Sequence, residues 1–356
     1  MIYLFLVIIL ILTGLVAPKS KLFFCFNILL VVFLSTHFSG GNDISNIEDS
    51  FYATNFNVNE GERSWVFYSL LLWLNDNNIS FDQFRLIDCA IWGIPIFGTI
   101  YLFCKHKNYV ASTCLLFPML SFSSQIRNGI TVGFVYLAII SLFLLKDKKY
   151  GISLYILFTI ISGLFHYIGF LNLLGLLALI NFDPKKYYNY VFLGTILLFF
   201  LYTSGSVFSL IGGYSSWYAD TYLAGGGNKS WFLFIVLSAF IIINYKWVEN
   251  CEYKIMRSKE LFNASVIEFT CFVTRLNFVF LPFVVLILLN GNVFRIYQNL
   301  FILSVITISN ASVAISHKNG KGNGYRLFYF LFFILLTAFY NMWQGEFLSF
   351  FNSIKL

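Results

Sequence analysis

The chain has 356 residues, of which 59% are hydrophobic, 21% aromatic and only 11% charged. A soluble domain carries about 25% charged residues, so this composition leaves no polar exterior to face water; it excludes a globular protein and requires lipid around apolar helices. The net charge of +7 has no soluble basic domain to sit on, so it points to basic loops beside membrane helices rather than to nucleic acid.

The hydrocarbon core takes roughly 20 helical residues to cross, with shorter spans tolerated. Apolar runs predict an all-α, polytopic integral membrane protein forming a single transmembrane domain over residues 1–356. Its spans are expected at 2–17, 22–38, 84–104, 109–123, 128–145, 150–166, 168–182, 187–208, 231–245, 261–290, 298–316 and 327–343, about twelve in all. The first run lacks a positive n-region, and the next begins within a few residues, so it is expected to be a retained helix rather than a cleaved signal. Residues 39–82 form the first long loop. It carries Asp43, Glu48, Asp49, Glu60, Glu62 and Asp76 against Arg63. Its second half, SWVFYSLLLWL, is apolar but too short to span, which predicts a helix at the interface, with Trp65, Tyr68 and Trp73 suited to an aromatic belt. A second loop, 212–230, reads GGYSSWYADTYLAGGGNKS. There Tyr218 and Tyr222 beside Asp220 could stack on a sugar, or could equally anchor the interface. The run 261–290 reads either as one long tilted helix or as a half-helix breaking near Arg275.

Lysine placement orients the chain. Sixteen of the 23 basic residues fall on alternate loops that define one side, the cytoplasmic one, and put both termini outside. That side holds fourteen lysines and two arginines. The other receives Lys229, Lys355 and five arginines: Arg63, Arg85, Arg127, Arg275 and Arg295. Arginine presents a planar fork of donors suited to phosphate, so an external face rich in arginine suggests a site for a phosphorylated ligand. Each arginine could also pair with a nearby acid or a lipid headgroup.

His166, in FHYIGF, falls at the junction of two short spans near the external face, where a histidine can act as a general base or simply bond a backbone carbonyl. Glu268 and Arg275, seven apart, share a helix face and are expected to point into the bundle or a wet cavity. The six cysteines show no CxxC spacing, which suggests neither a disulfide framework nor a zinc site; no metal and no cofactor is expected. Walker A, GxGxxG, HExxH and GxSxG are absent, so ATP-driven transport and metalloprotease chemistry lack support.

The order of features resembles the EpsG-type polysaccharide polymerases, a branch of the Wzy O-antigen polymerase group. The resemblance rests on GGND with Asp43, NEGERSWVFY with Glu62 or Glu60, SQIRNGITVGF with Arg127, LFHYIGF with His166, SSWYADTYLAGGG with its tyrosines, and TRLNFVFLP with Arg275 and Pro282. Each motif is weak alone; order and spacing carry the likeness. The chain departs from the pattern at Asn128, where relatives often carry glutamine after the arginine. The resemblance implies a GT-C-like helical architecture in the bacterial inner membrane with a periplasmic active site. It implies glycosyl transfer between undecaprenyl-pyrophosphate-linked oligosaccharides, as donor and acceptor, and allows a chain-length regulator protein as partner. His166, Arg127 and Arg275 are then the expected catalytic residues. Asp43, Glu62, Arg63, Tyr218, Tyr222, Arg295 and Glu268 are the expected substrate contacts. The acceptor hydroxyl's base could be His166 or an acid of the first loop. A polyprenyl-phosphate-sugar glycosyltransferase, an O-antigen ligase and a lipid-linked oligosaccharide flippase are the competing readings.

Overall fold

A computed structural model of the chain describes residues 2–38, 42–53, 65–203, 227–287 and 294–344. Among the described residues the elements are all helical. Helices α1 (Ile2–Val16) and α2 (Lys21–His37) form a short apolar pair. The first long loop contributes α3 (Asn42–Tyr52) and α4 (Trp65–Asp76). In α4 Phe67, Leu71 and Leu74 are buried while Trp65 and Trp73 remain exposed, the one-sided pattern expected of its sequence. Helix α3 was not anticipated, although Ile44, Ile47 and Phe51 recur at helical spacing and are all buried. It packs Phe51 onto Phe81 and Phe84 at the start of α5 (Phe81–Phe103). That start is fixed by a capping box between Ser80 and Gln83.

The expected span 109–123 is broken. Helix α6 (Lys107–Cys114) ends in a kink over Leu115–Met119, where Phe117 is extended at φ −151°, ψ 129°, before α7 (Leu120–Ser124); Pro118 there has no N–H to continue the ladder. Helices α8 (Ile126–Leu144) and α9 (Lys148–Phe165) form a long hairpin. Helix α10 (Ile168–Leu171) tightens into a 3-10 segment, Asn172–Leu179. A second limb begins at Pro184 and runs into α11 (Tyr188–Thr203), and the two limbs meet at 117°. Next comes α12 (Gly227–Met256), which runs about three turns beyond the expected end of its span at residue 245. No glycine or proline interrupts it there, Lys246 and Glu249 pair one turn apart at 3.1 Å, and Val248, Cys251 and Ile255 are buried. Helix α13 (Ala264–Phe280) continues straight through Arg275 and changes to 3-10 geometry only at Leu281–Ile287, where Pro282 lies. Helices α14 (Phe294–Asn319) and α15 (Gly322–Gln344) complete the bundle.

Six of the described helices are long and apolar enough to cross a membrane, and the bent pair makes seven. The chain is thus a multi-pass membrane protein, but twelve full-length spans do not follow from the structure. Helices α1 and α2 have only 15 and 17 residues; at 1.5 Å per residue these are shorter than the roughly 30 Å hydrocarbon core. Helix α14 is the centre of the bundle, with 78% of its apolar window buried. Helix α8 closes against α5 through Gly129 and Gly133, a small-xxx-small face. A Cβ at Gly133 would lie 2.3 Å from the Ile91 carbonyl oxygen, so only glycine allows this approach.

Hydrogen bonds fix which helix ends meet. At the lysine-bearing end, Asn108 donates to the carbonyls of Thr13 and Ala17 at 3.0 Å each, and Asn310 donates to Phe103 O at 2.7 Å. At the opposite end, Arg85 joins Phe38 to Ser123, and His166 meets Arg295.

Candidate functional site

The opposite end collects three of the residues singled out from sequence. Arg127 stands in the first turn of α8, which no side chain caps. A cation in that position is opposed by the helix dipole, so helix stability does not account for it. His166 ends α9: its backbone N–H bonds Ser162 O at 3.1 Å and its φ, ψ of −151°, 123° turn the chain towards α10. The turn is tight, since a Cβ at Gly169 would sit 2.4 Å from the Ser162 hydroxyl. Ser162 Oγ also donates to Thr131 O at 3.0 Å, and Thr131 Oγ to Arg127 O at 2.8 Å. These two bonds hold the His166 turn beside the Arg127 turn. Arg295, the second residue of α14, brings its Nη1 within 3.4 Å of His166 Nε2.

The imidazole is short of lone pairs. Its Nδ1 accepts the Ile168 N–H at 3.3 Å, so the proton of the neutral ring belongs on Nε2, facing the Arg295 donor. Either tautomer leaves one donor opposed by another donor. Burial first, then Arg295 and Arg127, push the ring's pKa down to about 3, so His166 is neutral at physiological pH. Among the described residues the ion pairs are Lys148–Glu268 and Lys246–Glu249; neither supplies a carboxylate to Arg127, His166 or Arg295. Two half-buried guanidiniums and a buried N–H donor thus converge in a place that has room electrostatically for an anion.

The other expected residues lie elsewhere. Glu268 does not turn into the bundle: its carboxylate is exposed and meets Lys148 at 3.9 Å, at the lysine-bearing end. Arg275, counted as external from sequence, donates to Asn181 Oδ1 at 2.6 Å in the bend that precedes Lys185 and Lys186, and is not brought to the cluster. The two residues share a helix but neither an environment nor a partner. Asp43 begins in the first turn of α3. Glu62, Arg63, Tyr218 and Tyr222 lie outside the described residues.

Sequence reasoning undervalued one pair. Arg85 is 2% exposed and Asp88, three residues on, is 1% exposed. Two opposite charges at i and i+3 at the head of an apolar run are the signal that could have marked them.

The EpsG family matches residues 20–352 of the chain. The chain belongs to the EpsG family. Neither curated proteins nor solved structures yield a match. Membership points to a membrane protein of polysaccharide-polymerase type, associated with glycosyltransferase-like activity. The match covers every residue of the arginine–histidine cluster as well as Arg85 and Asp88.

Proposed function

We propose that this protein is an O-antigen or surface-polysaccharide polymerase that joins undecaprenyl-pyrophosphate-linked repeat units. The reaction takes place where the arginine end meets water, on the periplasmic face of the bacterial inner membrane. In this reading all twelve apolar runs are embedded in the membrane in a GT-C-like arrangement, including those too short to span it alone. The anomeric carbon of the donor sugar leaves its pyrophosphate oxygen and bonds an acceptor hydroxyl oxygen. The hydroxyl proton passes to a base, and undecaprenyl pyrophosphate departs.

The observation that carries the reading is the cluster of Arg127, Arg295 and His166, which among the described residues presents donors only. A pyrophosphate oxygen placed between Arg295 and His166 Nε2 would accept from both and remove the donor–donor opposition at 3.4 Å. Charge developing on the leaving pyrophosphate would be met by donors already in place, aided by the uncapped first turn of α8. His166, its Nδ1 lone pair used by Ile168, serves here as a hydrogen-bond donor to phosphate. The base role then passes to an acid of the first loop, Asp43 or Glu62.

The test is polymerisation of lipid-linked repeat units by the purified protein in vesicles, together with the surface glycan ladder in cells. Arg127→Ala is expected to abolish both while the protein still accumulates in the membrane. A normal ladder would refute the assignment, and loss of exported single units on gene deletion would favour a flippase.

A further inference from the structure

The turn that presents Arg127 is not held by its own helix. In an unbroken helix the Arg127 N–H would bond Ser123 O, four residues back. The chain instead breaks at Gln125, with φ −103° and ψ 64°, and Ser123 O is taken by Arg85 Nη2 at 3.1 Å. The same guanidinium donates through Nη1 to Phe38 O at 3.1 Å, and through Nη2 to Ser35 O. Ser35 and Phe38 are the last turn and the C-cap of α2, and Ser123 is in the last turn of α7. One buried cation therefore satisfies carbonyls left open at two helix C-termini, where the dipole favours it. Asp88 lies one turn on along the same helix and is buried as well, its Oδ1 without a hydrogen-bond partner among the described residues.

Arginine is suited to this task as lysine is not. Its planar fork reaches three carbonyls on two elements at once, whereas an ammonium is a point donor on a flexible stem. The consequence is mechanical: the exit of α2 into the first long loop and the start of α8 are tied to one side chain on α5.

We propose that Arg85, through its three carbonyl bonds, is a positioning residue that sets the Arg127 turn and couples it to the root of the first long loop. It touches no substrate, and its role rests on the reading of Arg127 as a pyrophosphate ligand. Arg85→Lys keeps a cation beside Asp88 but loses the three-carbonyl span. The expected result is a protein that still accumulates in the membrane but melts lower, by the cost of the carbonyls left open, with faster amide exchange at residues 126–129. Its kcat/KM for the lipid-linked donor should drop about 100-fold, as for an ångström-scale misplacement, with the change carried by KM.

Wild-type exchange rates at 126–129 together with wild-type KM would overturn the proposal. Arg127→Ala in the same assay separates the two ideas. An unchanged donor KM there refutes the pyrophosphate reading itself, whereas a raised KM there beside a normal Arg85→Lys refutes only the positioning role. Should Arg85→Lys fail to fold, amide exchange on the unaltered protein decides. The amides of residues 35–38 and 126–129 should open in one cooperative event, and independent opening would overturn the coupling.

Discussion

Arg295→Gln distinguishes a cluster built for a ligand from one built for the fold. The only polar contact of Arg295 within the described residues is His166 Nε2 at 3.4 Å, beyond the usual hydrogen-bond range. Such a contact is worth at most about 1 kcal/mol, and the substitution also frees a half-buried charge from partial desolvation. Unfolding free energy should therefore stay within about 1 kcal/mol of the wild type, or rise. Activity should behave differently. A charge-assisted bond to phosphate contributes roughly 1.5–3 kcal/mol, which at 1.4 kcal/mol per decade is a loss of about 10- to 100-fold in donor kcat/KM. Arg295 is also the first charged neighbour holding down the pKa of His166 after burial, so the ring's pKa should rise from about 3 towards 6.5. Three measurements check this: denaturation in nanodiscs, polymerisation of lipid-linked units, and NMR titration of the labelled imidazole. Unimpaired polymerisation would refute the reasoning. So would a loss of stability above about 2 kcal/mol, which would show Arg295 to be structural.

Gly133→Ala should force α5 and α8 apart, because the new Cβ would sit 2.3 Å from Ile91 O. A cost of about 1–3 kcal/mol, read as a lowered melting temperature, is expected, and an unchanged value would deny the close approach. Glu268→Gln removes a pair of exposed groups 3.9 Å apart, so stability should move by less than about 0.5 kcal/mol and the glycan ladder should persist; a missing ladder would return Glu268 to the site. His106 and His166 are both held neutral, chiefly by burial, with pKa values near 3. Below pH 6.5 the unfolded chain takes up protons that the folded chain refuses, so each ring removes about 1.4 kcal/mol of stability per pH unit until about pH 3. His166→Asn should therefore flatten the acid limb between pH 6 and 5 by that amount, and an unchanged slope would contradict the buried neutral ring.

Much of the helical layout was legible because apolar run length is a local property. Nearly every expected span corresponds to a helix or a helix pair, with ends displaced by a few residues at most positions. The failures have local physical causes that a hydropathy count does not weigh: Pro118 inside one span, the bend before Pro184 in another, and an apolar stripe of Val248, Cys251 and Ile255 that carries α12 past its lysine. Helix α3 was hidden because its three buried positions are separated by acids and asparagine. The site was half legible. Arg127, Arg295 and His166 could each be named from charge and position, but their convergence could not, since His166 and Arg295 are 129 residues apart and meet through packing alone. Arg275 was misplaced because a charge within a long apolar run carries no record of its depth; only the bond to Asn181 sets it in the lysine-bearing half.

A second histidine–arginine contact in the same molecule serves as an internal control. At the lysine-bearing end Arg326 is 5% exposed and donates to three neutral acceptors: His106 Nδ1 at 3.1 Å, Ser312 Oγ at 3.4 Å and Asn323 Oδ1 at 2.5 Å. Nothing opposes it, and the cluster is complete as it stands, like a helix-end clasp. At the arginine end the same two residue types meet with the imidazole lone pair already used. The fold can therefore satisfy a buried histidine–arginine pair, and does so with His106 and Arg326 but not with His166 and Arg295. Stability gives no reason for the contact, and among the described residues no acceptor meets it; the anionic ligand proposed above would supply one.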